Sequence, residues 1–287
     1  MKKLVLLLVA AFAFSCSSNP DFYDDFLDSL NGNIATIKIK SYDAKMKFGE
    51  VMKDSESYNA FYCFQMAENG LPEVVSQYYY SNWKEKDILE YMAKFEYDGN
   101  KKMKVSYYEE DGDLHYTKHY FYIDGQLVAT TCYNGNGAWD SGINHEYENG
   151  KLIKDIQVDE DENPIMETRY TYQGNLMNMT IIDCKTGEQN YYQNTEFDNN
   201  WRAISKVEDY NGEVKEIRVE RNEKGYVIKS IGGTIDIFGY LSPQPINQEV
   251  YYYEYEFDDH KNWIKRIIYK GEAKTPFEIT EREITYK

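Results

Sequence analysis

The chain has 287 residues, 42% of them hydrophobic, with 32 basic against 49 acidic side chains and a net charge of −17. Such a surface repels phosphate backbones, which argues against nucleic acid as a partner, and it repels anionic lipid headgroups too. A mean hydropathy of −0.72 is too polar for a thick two-sheet core of this length, although a single sheet with one wet face fits it.

Residues 1–15 read as an export signal: Lys2 and Lys3, an apolar run from Leu4 to Phe14, then Ser15 and Cys16. The run falls short of the roughly 20 apolar residues that a spanning helix needs. "AFSC" (13–16) resembles a bacterial lipobox, in which Cys16 becomes the lipidated first residue; Ala11-Phe12-Ala13 also fits an ordinary small-x-small cleavage site. Acyl chains on Cys16 would anchor the chain to a membrane without any spanning segment. Residues 16–33 then form a tether. Within it Pro20, the acidic first turn, the spacing of Phe22, Phe26 and Leu30, and Gly32 predict a short helix that links the anchor to the fold or caps an open sheet edge.

From residue 34 onward the composition favours strands, with 29 Tyr, 13 Phe and 4 Trp against only 6 Pro. The pattern is loose at first, around Tyr42 and Phe64. It then becomes periodic: "KFEYDGNKKM", "HYFYIDGQLV", "NHEYENGKLI", "RYTYQGNLMN" and "NTEFDNNWRA" place an anchor aromatic at Tyr97, Tyr122, Tyr147, Tyr172 and Phe197, four equal steps of 25 residues. A sixth copy falls near 222 and a seventh is anchored at Phe257, which leaves an irregular insert at 231–249. The residue two before each anchor shares its face, and the one between, often Glu, faces the other way. Gly99, Gly125, Gly150 and Gly174 follow in turn settings, and a second turn sits midway through each copy. Each unit is thus two strands and two turns, and residues 34–287 make a continuous antiparallel meander of eighteen to twenty strands, by count of the turn signals. The expected fold is all-β: one twisted sheet winding into an open spiral or half-barrel, aromatic face inward.

The turn signatures "FEYDGN" (95–100), "YIDGQL" (122–127), "YENGKL" (147–152) and "YEFDDHKNWIKRIIY" (255–269) resemble the RHS or YD repeats of bacterial secreted proteins. With "LNGNIATIKIKSYDAKMKFGEV" (30–51) they also look like repeats of Bacteroidota-type envelope lipoproteins. The resemblance implies a β-rich shell and a location in the cell envelope, at the outer membrane, its periplasmic side or the cell surface. It implies no activity. The period of 25 departs from the usual RHS spacing and argues against that family's closed cage.

Chemistry-bearing motifs are sparse. Asp159, Asp161 and Asn163 match the opening of a calcium loop, but Pro164 and Tyr170 stand where Gly and Glu are required, so a repeat turn accounts for them. His115 and His119 lie about 13 Å apart along a strand, and "HEYEN" from His145 has no second His, so all three are expected on the solvent face. Cys63, Cys132 and Cys184 are an odd set without a C-x-x-C pair: either one disulfide and a free thiol or, as expected here, three buried reduced cysteines. No nucleophile elbow or phosphate loop occurs, and neither a catalytic residue, a metal nor a cofactor is assigned. Binding remains. Trp139 and the insert's Phe238, Tyr240 and Leu241 are the candidate contacts for a partner, and Trp83 is a further exposed-aromatic candidate. Trp201 and Trp263 follow anchors where Leu stands in other copies, so core positions are expected. The expected function is a lipid-anchored, monomeric binding or assembly module. A glycan-binding accessory protein and a hydrolase with an unmarked carboxylate pair are the alternatives.

Overall fold

The computed structural model describes residues 30–287 apart from 56, 57, 82, 211, 246 and 247. The chain runs through β1 (Ile34–Lys47), β2 (Glu50–Lys53), β3 (Ala60–Met66), β4 (Pro72–Ser81), β5 (Lys86–Asp98), β6 (Lys101–Glu109) and β7 (Leu114–Ile123). It continues through β8 (Gln126–Asn134), β9 (Trp139–Glu148), β10 (Lys151–Val158), β11 (Pro164–Gln173), β12 (Leu176–Asp183), β13 (Gln189–Phe197) and β14 (Ala203–Tyr210). Then follow β15 (Glu213–Arg221), β16 (Val227–Ile231), β17 (Gly233–Ile235), β18 (Leu241–Pro245), β19 (Val250–Phe257), β20 (Trp263–Lys270) and β21 (Thr275–Tyr286).

The periodic anchors end every second strand, as their spacing requires. The turns that follow adopt the positive φ that a tight hairpin demands: Asp124 and Gly125 at 50° and 86°, Asn149 and Gly150 at 51° and 77°. From β3 to β16 and from β19 to β21 each strand pairs antiparallel with the next; β2 pairs with β1, β17 with β18, and β16 pairs across the insert with β19. The meander does not stay open. β1 pairs with β3 on one side and with β21 on the other, Ile37 opposite Ile284 and Ser41 opposite Thr280, so among the described residues 18 strands close into a barrel. This corrects the open spiral or half-barrel. The physical reason is a set of register shifts that the residue pattern conceals. One falls just before the anchors Tyr97, Tyr122, Phe197 and Phe257, and others lie near the opposite rim, as at Cys132/Tyr133 and Ile181/Ile182. Such bulges bend a sheet and increase its twist, which is how a long ribbon comes round to meet itself.

No helix occurs among the described residues. Most of the expected N-terminal helix lies outside them, and its described end, Leu30 to Gly32, is not helical. The open edge it would cap is absent, because β21 occupies it. Instead Asn262, in the turn after β19, accepts from the Asn31 amide and donates to the Asn31 carbonyl, both at 2.7 Å. The leader, Cys16 and most of the tether also lie outside the described residues.

Side chains segregate by face as the alternation implied. Ile37, Ile39, Phe64, Val75, Phe95, Val105, Tyr120, Ile217 and Ile268 are buried. Between them stand exposed cross-strand pairs: Lys104–Glu96 at 2.9 Å, Lys154–Glu146 at 2.8 Å, Lys229–Glu220 at 3.1 Å and Lys265–Glu256 at 3.0 Å. In a closed ring only the concave face brings side chains together, so the aromatic face is the interior and the charged face the exterior. Each exposed pair stabilises little by itself, but together they keep the outer wall wet. A membrane-spanning barrel has the opposite arrangement, with an outward apolar band and a polar lumen. Lys or Arg on a lipid face costs about 2–4 kcal/mol at mid-bilayer, so this wall is not built to face lipid.

The insert turns inward and spans the interior. Lys206 on β14 donates to the Leu241 carbonyl at 3.3 Å, Arg266 on β20 to the Asp236 carbonyl at 2.7 Å, and Phe238 packs edge-on against Tyr62 of β3 at 5.0 Å. Its departure from the wall needs glycine: a Cβ on Gly232, at φ +84°, would lie 2.2 Å from the Glu216 carbonyl oxygen. Gly232→Ala is therefore expected to cost about 2–4 kcal/mol in urea denaturation. Gly239→Ala, at φ +98° with no atom within 4 Å of the added carbon, should cost clearly less. Equal losses at the two sites would contradict the close approach at Gly232.

Candidate functional site

The exterior of β8–β10 carries a groove of about 460 Å³ near the rim away from Asn31. It arises from one glycine inside a strand. Gly142 faces outward on β9, and a Cβ there would touch Val158 Cγ2 at 3.3 Å and Trp139 Cζ2 at 3.5 Å. The missing side chain leaves a floor, over which the half-buried Trp139 and Tyr133 stand as aromatic walls. The exposed Asn144 adds an amide group, Glu162 closes the end from the turn between β10 and β11, and the Thr131 hydroxyl is buried in the floor. That turn holds Glu162 at φ 62° because Asp159 accepts from the amides of Asp161 and Asn163, at 3.0 and 2.9 Å. The carboxylate of Asp159 is thereby engaged in the turn itself, and no group of metal-ligating side chains occurs among the described residues.

Beneath the groove, on the inner face, a polar relay braces four strands. Asp155 accepts from His145 Nδ1 at 2.6 Å and from the Tyr170 hydroxyl at 2.8 Å, while His145 Nε2 lies 3.1 Å from Thr130 Oγ1. Hydroxyl, imidazole and carboxylate stand in the order of a nucleophilic triad. The His145 side chain is only 1% exposed, however, so no substrate reaches it. This corrects the expectation of a solvent-face histidine: position 145 shares the anchor's parity and faces inward. His115 does face solvent, 2.7 Å from Glu109. His119 lies on the outer face, and partial burial holds its pKa below the usual imidazole value.

The other candidates are dispersed. Leu241 is buried, Phe238 and Tyr240 are half-buried, and the insert packs its apolar side chains on the wall instead of presenting them. Asp236 at its tip accepts from the amides of Phe238 and Tyr240, both at 2.9 Å, while burial lifts its carboxyl above the usual range. Trp263 is buried under Arg282, whose guanidinium carbon lies 3.2 Å from the ring centre. Trp201 is 57% exposed, against expectation, because it occupies a positive-φ turn position at 58° and not the start of the next strand. Cys63, Cys132 and Cys184 form no disulfide with one another; Cys132 is buried, Cys63 half-buried and Cys184 exposed in a turn. Only one of them therefore meets the expectation of burial. The sequence named Trp139 but not its partners; Gly142 within "WDSGINHEYE" was the available signal, since glycine inside a strand marks a close approach or an opening.

No protein-family model matches the chain, and no curated protein matches it. Solved structures with a similar wall include a porin-like protein of Bacteroides uniformis, with TM-score 0.46, 10% identity, and coverage of 89% of this chain and 99% of that one. A porin-like protein of Bacteroides vulgatus matches with TM-score 0.36 at 10% identity over the same shares of each chain. The TcdB2–TccC3 structure matches with TM-score 0.31 at 12% identity, over 76% of this chain and 12% of that one. These are likenesses of an all-β, repeat-like wall.

His145→Ala would leave the Asp155 carboxylate buried without its imidazole, a loss of about 3 kcal/mol, which corresponds to a fall of about 6–12 °C in Tm by calorimetry. An unchanged Tm would show that the relay does not brace the wall.

Proposed function

We propose that the chain is a non-catalytic binding module of the cell envelope, tethered through lipid on Cys16, that takes its ligand on the outside of the barrel. The reading rests on one observation above the rest: the Gly142 groove sets aromatic faces beside Asn144 and Glu162. Sugars need that combination. Their C–H faces stack on rings while amide and carboxylate groups bind the ring hydroxyls. The groove thereby favours a glycan over a protein partner, and the charged exterior keeps the rest of the wall in water. An assembly role remains the second reading, supported by the breadth of the outer wall, and it requires no groove.

On a glycan array or against envelope polysaccharide, the native chain is expected to bind. Trp139→Ala should weaken binding about tenfold or more at unchanged Tm. Absence of any glycan binding, or equal binding by the variant, would remove the glycan reading and leave the assembly role. For the tether, mass spectrometry of the mature N-terminus should find an acylated Cys16; an unmodified Cys16 inside the chain would sink the lipoprotein assignment.

A further inference from the structure

Two hairpins rise above the barrel rim opposite Asn31. β1 continues past Ser41, where its pairing with β3 ends, to Lys47, and returns as β2 through Phe48 and Gly49. β4 and β5 continue to Ser81 opposite Lys86, although β5 loses its partner β6 beyond Tyr91. Tyr58 joins the two. Its ring meets Tyr42 at 6.5 Å, Phe61 at 5.6 Å and Tyr80 at 6.0 Å, and its hydroxyl donates to Asp87 at 2.9 Å. Lys40 ties down the same carboxylate at 3.6 Å and lies over Phe61. The overhang is thus a fixed double prong on an aromatic base.

Its tips carry the two most exposed large hydrophobic side chains among the described residues, Phe48 at 92% and Trp83 at 93%. Met46 and Met52 flank Phe48 and are exposed as well. Lysines stand at the tips as well: Lys47, Lys84 and Lys86 against Glu50 and Glu85, whereas Lys45 and Lys53 below them are paired with Asp54 at 2.6 Å and Glu281 at 2.8 Å. The Lys47 ammonium stands 5.4 Å from the Phe48 ring centre.

We propose that this prong docks on an anionic phospholipid surface, with Phe48 and Trp83 entering the headgroup region. Apolar tips ringed by lysine fit that occupant. The rings leave water, the methylene stems follow them, and the ammonium groups reach lipid phosphates. The acidic wall, repelled by the same surface, would hold the barrel off and restrict contact to the tips. The inference is independent of lipid on Cys16, since Asn31 is fixed at the opposite rim.

The test is vesicle flotation of the full mature chain carrying Cys16→Ser, which cannot be acylated. Vesicles of phosphatidylcholine with phosphatidylglycerol should carry the chain, pure phosphatidylcholine should carry less, and added salt should release it. The double variant Phe48→Ser/Trp83→Ser, with unchanged circular dichroism and Tm, should partition about tenfold or more weakly. No flotation with phosphatidylglycerol, or equal flotation of the double variant, would overturn the proposal. So would specific retention by a partner protein through the same two aromatics without vesicle binding.

Discussion

The pairing of β1 with β21 is the constraint on which the rest depends. It joins Thr36 to Thr285 through their hydroxyls at 2.6 Å, across a separation of 249 residues, and converts a ribbon of hairpins into a tube. Closure removes both edges of a long meander, which would otherwise invite pairing with other chains. It also distinguishes two faces that a flat sheet would leave equivalent. One becomes an enclosed surface where Ile37, Phe64 and Val75 are fully buried, and the other a convex surface where cross-strand Lys–Glu pairs stay hydrated. Since the loop to be closed is nearly the whole chain, its entropy is recovered only when both termini are in place, and slow, late closure is the natural folding order.

An 18-strand ring is wide enough to hold water, so its interior needs filling. Tyrosine does much of that, with rings long enough to reach inward and hydroxyls that find partners, as Tyr170 finds Asp155 and Tyr253 finds Ser230 at 2.8 Å each. The insert adds to it where it reaches β14, β20 and β3. Its polar tip explains the buried Arg266, which donates to the Asp236 carbonyl and lies 3.1 Å from Glu278. Near it burial depresses the Arg282 guanidinium, which is held over Trp263. Charges of this kind persist inside a fold only with such partners.

Much of the wall was legible in the sequence, because a strand repeat writes its own parity. The anchors end β5, β7, β9, β11, β13 and β19 as the spacing required, and the break at 231–249 is where β17 leaves the wall and β18 returns to pair with β15. Closure was not legible. It depends on bulges that shift register without changing residue type, and on a contact between the two ends that no local pattern contains. The same limit misplaced His145. Its polarity suggested solvent, but its parity placed it inside, and the partners that satisfy it, Thr130 and Asp155, sit on neighbouring strands. Trp201 was misplaced for the converse reason, since its turn holds five residues (198–202) where those after β7, β9 and β11 hold two, which moved it out of the strand and into water.

A repeated element cannot by itself mark a site, because whatever it does once it does in every copy. The informative places are therefore departures from the repeat, and departures have two outcomes. The insert broke the period and went inward, where filling a wide lumen is sufficient explanation. Gly142 broke a strand's side-chain row and let Val158 and Trp139 close over the strand, which leaves Trp139 beside a groove on the outer wall. The early strands broke the period by overrunning the rim, and the overrun ends in Phe48 and Trp83, the side chains that gain most by leaving water and have no wall to leave it for. A departure that stabilises the barrel should bury what it adds; one that leaves aromatic surface outside, on a rigid support, is better explained by a ligand or a surface that the barrel itself does not supply.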